Sequence, residues 1–481
     1  MMQKVQEDTD IARELYRRAL MGRAQVYQFT GQYPQSLKDW EKYKKVGDEP
    51  RHMYAYCQGV SILHDRVGQF KKANMLSEQA IGLGQQYPGI VEAGVLRSAR
   101  VQLLIKKGDF AEAIKSAEDM LSSTKPTRKG HVRKRVTMDK REEARLLMSM
   151  GTAYMSMGKY DQARVHFLRA RKINQQINSP EAVSIADNNL TLTYWKMGDY
   201  KHAIVHCRKA LAIREKIGHV FGISTALNNL GLIHDEMGDY QAALRYYQQA
   251  LAAFNRLNDV YGITIALTNI GTIYGDVYGD MNKAFDYHRR SLDLVRTTGD
   301  MYGEVEALIM MADMYWRCEN KHKFSLTVAD LSKLIPMVQS EELVMSCFLK
   351  EIKLCAWRKD RRKQKQLVEQ LFCALAITEN RILIYESIAE FVEIIYRFEL
   401  TSWLPKILPL MHNLENNLNA VESPLRKIKM LRSLVKYSLL TDEKQAAKKH
   451  FRNWEYIAHT YRIVAEQSEL DRVRVQLESR Q

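Results

Sequence analysis

A short turn of glycine, one polar residue and a bulky residue returns along this chain about every forty residues, and that recurrence restricts the fold more than any other feature. Gly158-Lys159-Tyr160 is followed by Gly198-Asp199-Tyr200, by Gly238-Asp239-Tyr240 and, one residue late, by Gly279-Asp280-Met281. Upstream stand Gly108-Asp109-Phe110 and Gly68-Gln69-Phe70, with Gly31-Gln32-Tyr33 opening the series; a basic insert at 122–140 breaks the register by ten residues. After each turn small residues come five and twelve positions on: Ala163/Ala170, Ala203/Ala210, Ala243/Ala250 and Ala284/Ser291. Phe167, Cys207, Tyr247 and His288 lie between them. Before each turn a second pattern reads Gly151-x-x-Tyr154, Thr191-x-x-Tyr194, Gly231-x-x-His234 and Gly271-x-x-Tyr274. Spacings of three, four and seven put such residues on one helix face. Each unit therefore reads as a helix A, a tight glycine turn and a helix B, with small residues letting the two helices approach and large ones filling the gap. Fixed-period self-similarity of this kind is the mark of a stacked repeat array.

Composition agrees with an all-α array. The 481 residues exceed the usual size of one globule, yet hydrophobic residues (46%) and charged residues (27%) are those of ordinary globular material. Only 9 prolines interrupt it. The six cysteines, Cys57, Cys207, Cys318, Cys347, Cys355 and Cys373, form no CxxC pair and read as small buried hydrophobes of a reducing compartment. The charged start, Gln6-Glu7-Asp8-Thr9-Asp10, has no apolar core of a signal peptide, and no apolar run is long enough to span a membrane. A cytoplasmic location is expected. The net charge of +16 points to an acidic partner and keeps nucleic acid and anionic membrane surfaces in view.

The stretch from Ala226 through Leu244 (ALNNLGLIHDEMGDYQAAL), with its copies on either side, resembles the tetratricopeptide repeat family in its forty-residue variety. It is similar to repeats of kinesin light chain, of the spindle-orientation adaptor LGN and of the sensor region of bacterial signal-transduction ATPases. The resemblance covers roughly residues 14–300. It implies a right-handed superhelical solenoid of about ten antiparallel helix pairs. We expect residues 1–335 to form that solenoid and 336–481 a divergent helical-repeat region, in which 341–357 with 361–376, 380–397 with 401–418 and 423–440 with 442–459 are candidate pairs. The last charged helix, Ser468 to Arg480, is expected to cap the array, since an end repeat must turn a polar face to water.

Motifs that carry chemistry are missing. Gly151-x6-Gly158-Lys159 is the nearest approach to a phosphate loop, but its spacing is wrong and Tyr160 stands where Ser or Thr binds magnesium. His202 and His206 share a helix face beside Cys207 without a third ligand at suitable spacing, so helix packing is preferred to zinc. No catalytic residue, metal or cofactor is expected, and a binding role is preferred to an enzymatic one.

Asparagines recur at one place in successive helices A: Asn188-Asn189, Asn228-Asn229 and Thr268-Asn269. The family resemblance implies that Asn188, Asn228 and Thr268 point into the concave groove, together with a second slot that holds Met155, Trp195, Asp235 and Gly275. Asparagine offers both donor and acceptor, so a ladder of them can grip an extended peptide backbone. The competing role is hydrogen bonding between repeats, which we prefer for Asn189, Asn229 and Asn269. Phe221-Gly222, Tyr261-Gly262 and Tyr302-Gly303 read as helix-start staples. Two basic clusters stand out: the insert, with Arg128, Lys129, Arg133, Lys134 and Arg135, and the run Arg358 to Lys365 at a helix-pair turn. Neither is interleaved with aromatics, which gives base stacking no support.

The expected function is a scaffold or sensor that takes a partner protein or extended peptide in its groove, in signalling or regulation. Two alternatives stand beside it: a nucleic-acid-associated regulator using the basic insert, and the sensor region of a larger signalling ATPase, kinase or cyclase.

Overall fold

In the computed structural model, which describes residues 2–29, 32–66, 70–91, 93–122, 138–338, 340–378 and 380–479, every regular element is helical. Six helices precede the insert: α1 (Met2–Phe29), α2 (Tyr33–Lys45), α3 (Pro50–Arg66), α4 (Phe70–Gln86), α5 (Ala93–Lys107) and α6 (Phe110–Ser122). After it come α7 (Lys140–Ser156), α8 (Tyr160–Gln176), α9 (Pro180–Lys196), α10 (Tyr200–Lys216), α11 (Val220–Glu236), α12 (Tyr240–Leu257), α13 (Val260–Asp276) and α14 (Met281–Thr298). The series continues through α15 (Met301–Arg317), α16 (Lys321–Leu334), α17 (Glu341–Arg358), α18 (Arg361–Ile377), α19 (Arg381–Phe398), α20 (Leu404–Asn417), α21 (Pro424–Leu440) and α22 (Lys444–Thr460). The helix α23 (Gln467–Ser479) comes last, so the described residues form eleven antiparallel pairs and one further helix, an all-α solenoid.

The turn motif now has a physical reading. Gly108, Gly158, Gly198, Gly238 and Gly279 all take positive φ, between +68° and +82°, where a β-carbon would be strained. The residue after the glycine caps helix B: the carboxylates of Asp199, Asp239 and Asp280 accept from the backbone N–H three residues on, at 3.1–3.2 Å. Each such cap contributes about 1 kcal/mol.

Where the glycine signature stops, the geometry does not. Glu319, Lys359 and Glu399 follow Gly279 at forty-residue steps with φ of 53–58°, and Asp442 follows with φ 60°. Asn320 and Asp360 still cap the next helix, accepting from Lys323 and Lys363 at 3.1 Å. The period is kept by residues that pay a left-handed strain of roughly 1 kcal/mol each, which is why the sequence pattern fades before the fold does.

Packing between paired helices follows a size rule. An added β-carbon at Gly151 would lie 2.5 Å from the Phe167 ring, at Gly231 2.6 Å from Tyr247, and at Gly271 2.9 Å from His288. At the same place in α9 stands the larger Thr191, and its partner is the smaller Cys207. The Cys207 thiol is buried and donates to the Ala226 carbonyl at 3.3 Å. It is a packing residue, as its repeat position implied.

Two compact units result. The first holds Met1–Asn229, Ala252–Gly262 and Thr298–Asp300; the second holds Leu230–Leu251, Ile263–Thr297 and Met301–Gln481. The first has a core around Trp40, Tyr43, Tyr56 and Leu63. The second closes on itself. Arg426 of α21 pairs with Glu236 at 2.9 Å, and the Ala465 backbone N–H donates to the Val277 carbonyl at 3.0 Å.

Candidate functional site

In the first unit the asparagine ladder joins successive helices A. The Asn188 carbonyl oxygen accepts from the Asn229 amide at 3.2 Å and from the Arg214 guanidinium at 3.4 Å. Arg214 is buried, also donates to the Gly222 carbonyl at 2.9 Å, and is held below its usual pKa by that burial. Asn188 is half-buried, and its amide N–H donors make no hydrogen bond among the described residues. Asn228 is half-buried beside the buried Asn229. Trp195 is half-buried with the Lys196 ammonium 4.5 Å above its ring.

The two histidines are held by carboxylates. Asp187, fully buried, accepts from Arg171 and pairs with His206, both at 2.7 Å, while His202 pairs with Asp199 at 2.6 Å. Tyr194 stacks on both rings. Among the described residues no group of three or more His, Cys, Asp or Glu is placed to hold a metal ion. None of the described helices is long and apolar enough to cross a membrane.

Asp235 and Thr268 fall in the second unit. Thr268 hydrogen-bonds Ser291 at 3.0 Å. Asp235 sits at the head of a column of charges that runs along the helices A. Arg317 pairs with Asp276 at 2.5 Å; Lys350 lies 2.8 Å from Asp313 and 2.7 Å from Glu390. Lys353 reaches the same two carboxylates, and Lys436 contacts Glu393 and Glu469, both at 2.7 Å. Burial disfavours ionisation of Asp276, yet Arg317 and Lys429 outweigh it and hold its carboxyl at about 2. Glu393 likewise resists burial through Lys436 and Arg432 and is held at about 2.

Asp235 goes the other way. Burial, reinforced by the neighbouring Glu236 and Asp276 carboxylates, pushes it up to about 7. A folded-state value above that of the unfolded chain means that the ionised form opposes folding. The cost is small near pH 4, grows as pH rises, and is complete above the folded value. Asp235→Asn is therefore expected to stabilise the second unit by roughly 1–3 kcal/mol at pH 8 and by well under half of that at pH 4.5, measured by urea unfolding. Equal effects at both pH values would contradict this environment.

A cavity of about 440 Å³ opens within the first unit. Met21, Gln25 and Gln28 line it from one face of α1, and Tyr54, Ala55, Gln58 and Ile62 from one face of α3. Phe221, Asp259 and Tyr261 complete the wall at the starts of α11 and α13. Ile62 and Tyr261 are exposed, and the Gln58 amide donates to the Tyr54 hydroxyl at 3.2 Å. Gln25 and Gln28 make no side-chain hydrogen bond among the described residues. Sequence reasoning missed this site, because α1 and α3 lack the strong repeat signature. Phe221 and Tyr261, read as staples from the sequence, line the cavity.

A shallower depression of about 670 Å³ lies against α18, where Phe348, Cys373 and the exposed Arg362 and Lys365 of the second basic cluster line it. Arg128, Lys129, Arg133, Lys134 and Arg135 of the insert lie outside the described residues.

The tetratricopeptide repeat family model matches residues 142–216 and 183–256, the span of α7 to α12. No curated protein matches the chain. Among solved structures, the apo form of the quorum sensor NprR from B. thuringiensis is 14% identical with a TM-score of 0.50, over 79% of this chain and 98% of that one. A Rap protein complexed with competence and sporulation factor is 15% identical with a TM-score of 0.48, over 70% of this chain and 92% of that one. A signal-transduction ATPase with a tetratricopeptide repeat sensor, from Pyrococcus horikoshii, is 15% identical with a TM-score of 0.47; the match covers 71% of this chain and 51% of that one. Matched repeats, eleven helix pairs among the described residues and the glycine-turn packing agree, and residues 142–256 of the chain match the tetratricopeptide repeat family.

Proposed function

We propose that the chain is a protein-interaction module, a scaffold or sensor in signalling or regulation, that takes an extended peptide segment of its partner on the first unit. The observation that carries this is the cavity wall, in which amides alternate with aromatic and aliphatic surface. Amides satisfy the main-chain groups of an extended segment, and the aromatic surface buries its side chains at little entropic cost. The open N–H donors of Asn188 and the half-buried Trp195 extend the same chemistry along α9. Its six free thiols fit a reducing, cytoplasmic location.

The test uses a peptide selected by the whole chain from a random seven-residue library. Gln58→Ala and Tyr261→Ala are each expected to weaken that peptide about 10-fold, with the helical circular dichroism unchanged. Asn188→Ala combined with Asn228→Ala and Trp195→Ala is expected to weaken it further. Full retention by all of these variants sinks the assignment, and so does failure to select any peptide.

A further inference from the structure

We infer that the second unit docks an acidic segment of a partner protein along the exposed face of α18, with an apolar side chain of that segment seated in the depression beside Phe348. This contact is separate from the peptide site proposed on the first unit and needs none of its residues. The depression follows one face of α18: Arg362, Lys365, Gln366, Glu369 and Cys373 recur at helical spacing, and Phe348 of α17 lines it as well. From Arg362 to Cys373 the helix rises about 16 Å.

The two ends of this face differ in chemistry. At the start of α18 Arg361, Arg362 and Lys365 are exposed and make no ion pair or side-chain hydrogen bond among the described residues. Their neighbours are engaged: Lys363 lies 3.6 Å from Glu351, and Arg358 donates to the Ser325 hydroxyl at 2.5 Å. Glu369, the one acid in the lining, already pairs with Lys406 of α20 at 2.5 Å, so it does not cancel these cations. Helix formation does not account for them either. The start of a helix carries partial positive charge, which basic residues in the first turn oppose, and only the cap Asp360 offsets them. Toward the end of α18 the face turns apolar: Cys373 is exposed, and Ile377 one turn on is 79% exposed. A nucleic-acid backbone would satisfy the cations and leave this apolar end uncovered. A protein segment with several Asp or Glu residues and one aliphatic side chain covers both.

The exposed Cys373 thiol provides the readout. Heptapeptides with cysteine first and six random positions, as mixed disulfides with mercaptoethanol, are equilibrated with the whole chain. Mass spectrometry identifies those held at Cys373 and, for comparison, at the exposed Cys318. Peptides held at Cys373 are expected to carry an aliphatic residue next to the cysteine and Asp or Glu among the last three positions, because five extended residues reach about 16 Å. Those held at Cys318 should lack this pattern. Arg362→Gln with Lys365→Gln, both at exposed positions, should lower retention of the best acidic peptide about 10-fold and that of its amide analogue by no more than about 2-fold. Serine in place of the aliphatic residue should cost several-fold in wild type. Equal capture of acidic and neutral peptides at Cys373, the same pattern at Cys318, or no loss in the double variant overturns the proposal. An aliphatic residue that makes no difference also overturns it. A duplex of about 20 base pairs whose binding the double variant abolishes would then assign the patch to nucleic acid.

Discussion

Replacing Lys350 with methionine is expected to destabilise the second unit by about 3–5 kcal/mol at pH 7. The Lys350 side chain is 1% exposed, and its ammonium lies between Asp313 of α15 and Glu390 of α19. Removing it leaves the two carboxylates sharing Lys353, with Arg317 acting on Asp313 only. Burial works against both, but Lys350 and Lys353 outweigh it and hold the Asp313 and Glu390 carboxyls below their usual range. A depressed folded-state value stabilises the fold above the ordinary carboxylate range, and that stabilisation is lost as pH falls through the folded values. The gap between wild type and Lys350→Met should therefore narrow on acidification. Urea unfolding followed by tryptophan fluorescence reads this directly, because Trp316, Trp357, Trp403 and Trp454 lie in the second unit. Replacing all four members with apolar residues of similar size (Asp313→Leu, Lys350→Met, Lys353→Met and Glu390→Leu together) should recover most of the loss, since no buried charge is then stranded. A cost below about 1 kcal/mol for Lys350→Met would show that the column does not bind the repeats together.

The size rule between paired helices gives the second large effect. Gly231→Thr places a branched side chain against Tyr247, which is fully buried, and is expected to cost about 2–3 kcal/mol. Adding Tyr247→Cys copies the natural Thr191 and Cys207 combination one repeat earlier. The double variant should be more stable than the sum of the two single changes by at least about 1 kcal/mol. Thermal unfolding of the four proteins of the cycle checks it; strict additivity would mean that the two positions do not share one space.

Much of this fold was legible because glycine and aspartate announce the turn and its cap. The fold stayed hidden where other residues do the same work. Glu319, Lys359 and Glu399 hold the left-handed turn without glycine, so the period runs on after its signature has gone. The charge column was written at the same spacing, with Asp313, Lys353 and Glu393 forty residues apart and Lys436 continuing the alternation. No local pattern reveals it, because each charge finds its partner one repeat away. At the asparagines the residues alone left two roles open; the Asn188 oxygen accepts from the next repeat, and its N–H donors make no hydrogen bond among the described residues. The cavity was the least legible part, since its wall joins α1 and α3 to residues 221, 259 and 261, far along the chain.

Hydrogen exchange of the whole chain, with and without a selected heptapeptide, tests the central claim most directly. Added protection is expected in α1 and α3 and at the starts of α11 and α13, where the cavity wall lies. Protection confined to residues 301–479, or none at a saturating peptide concentration, would contradict it.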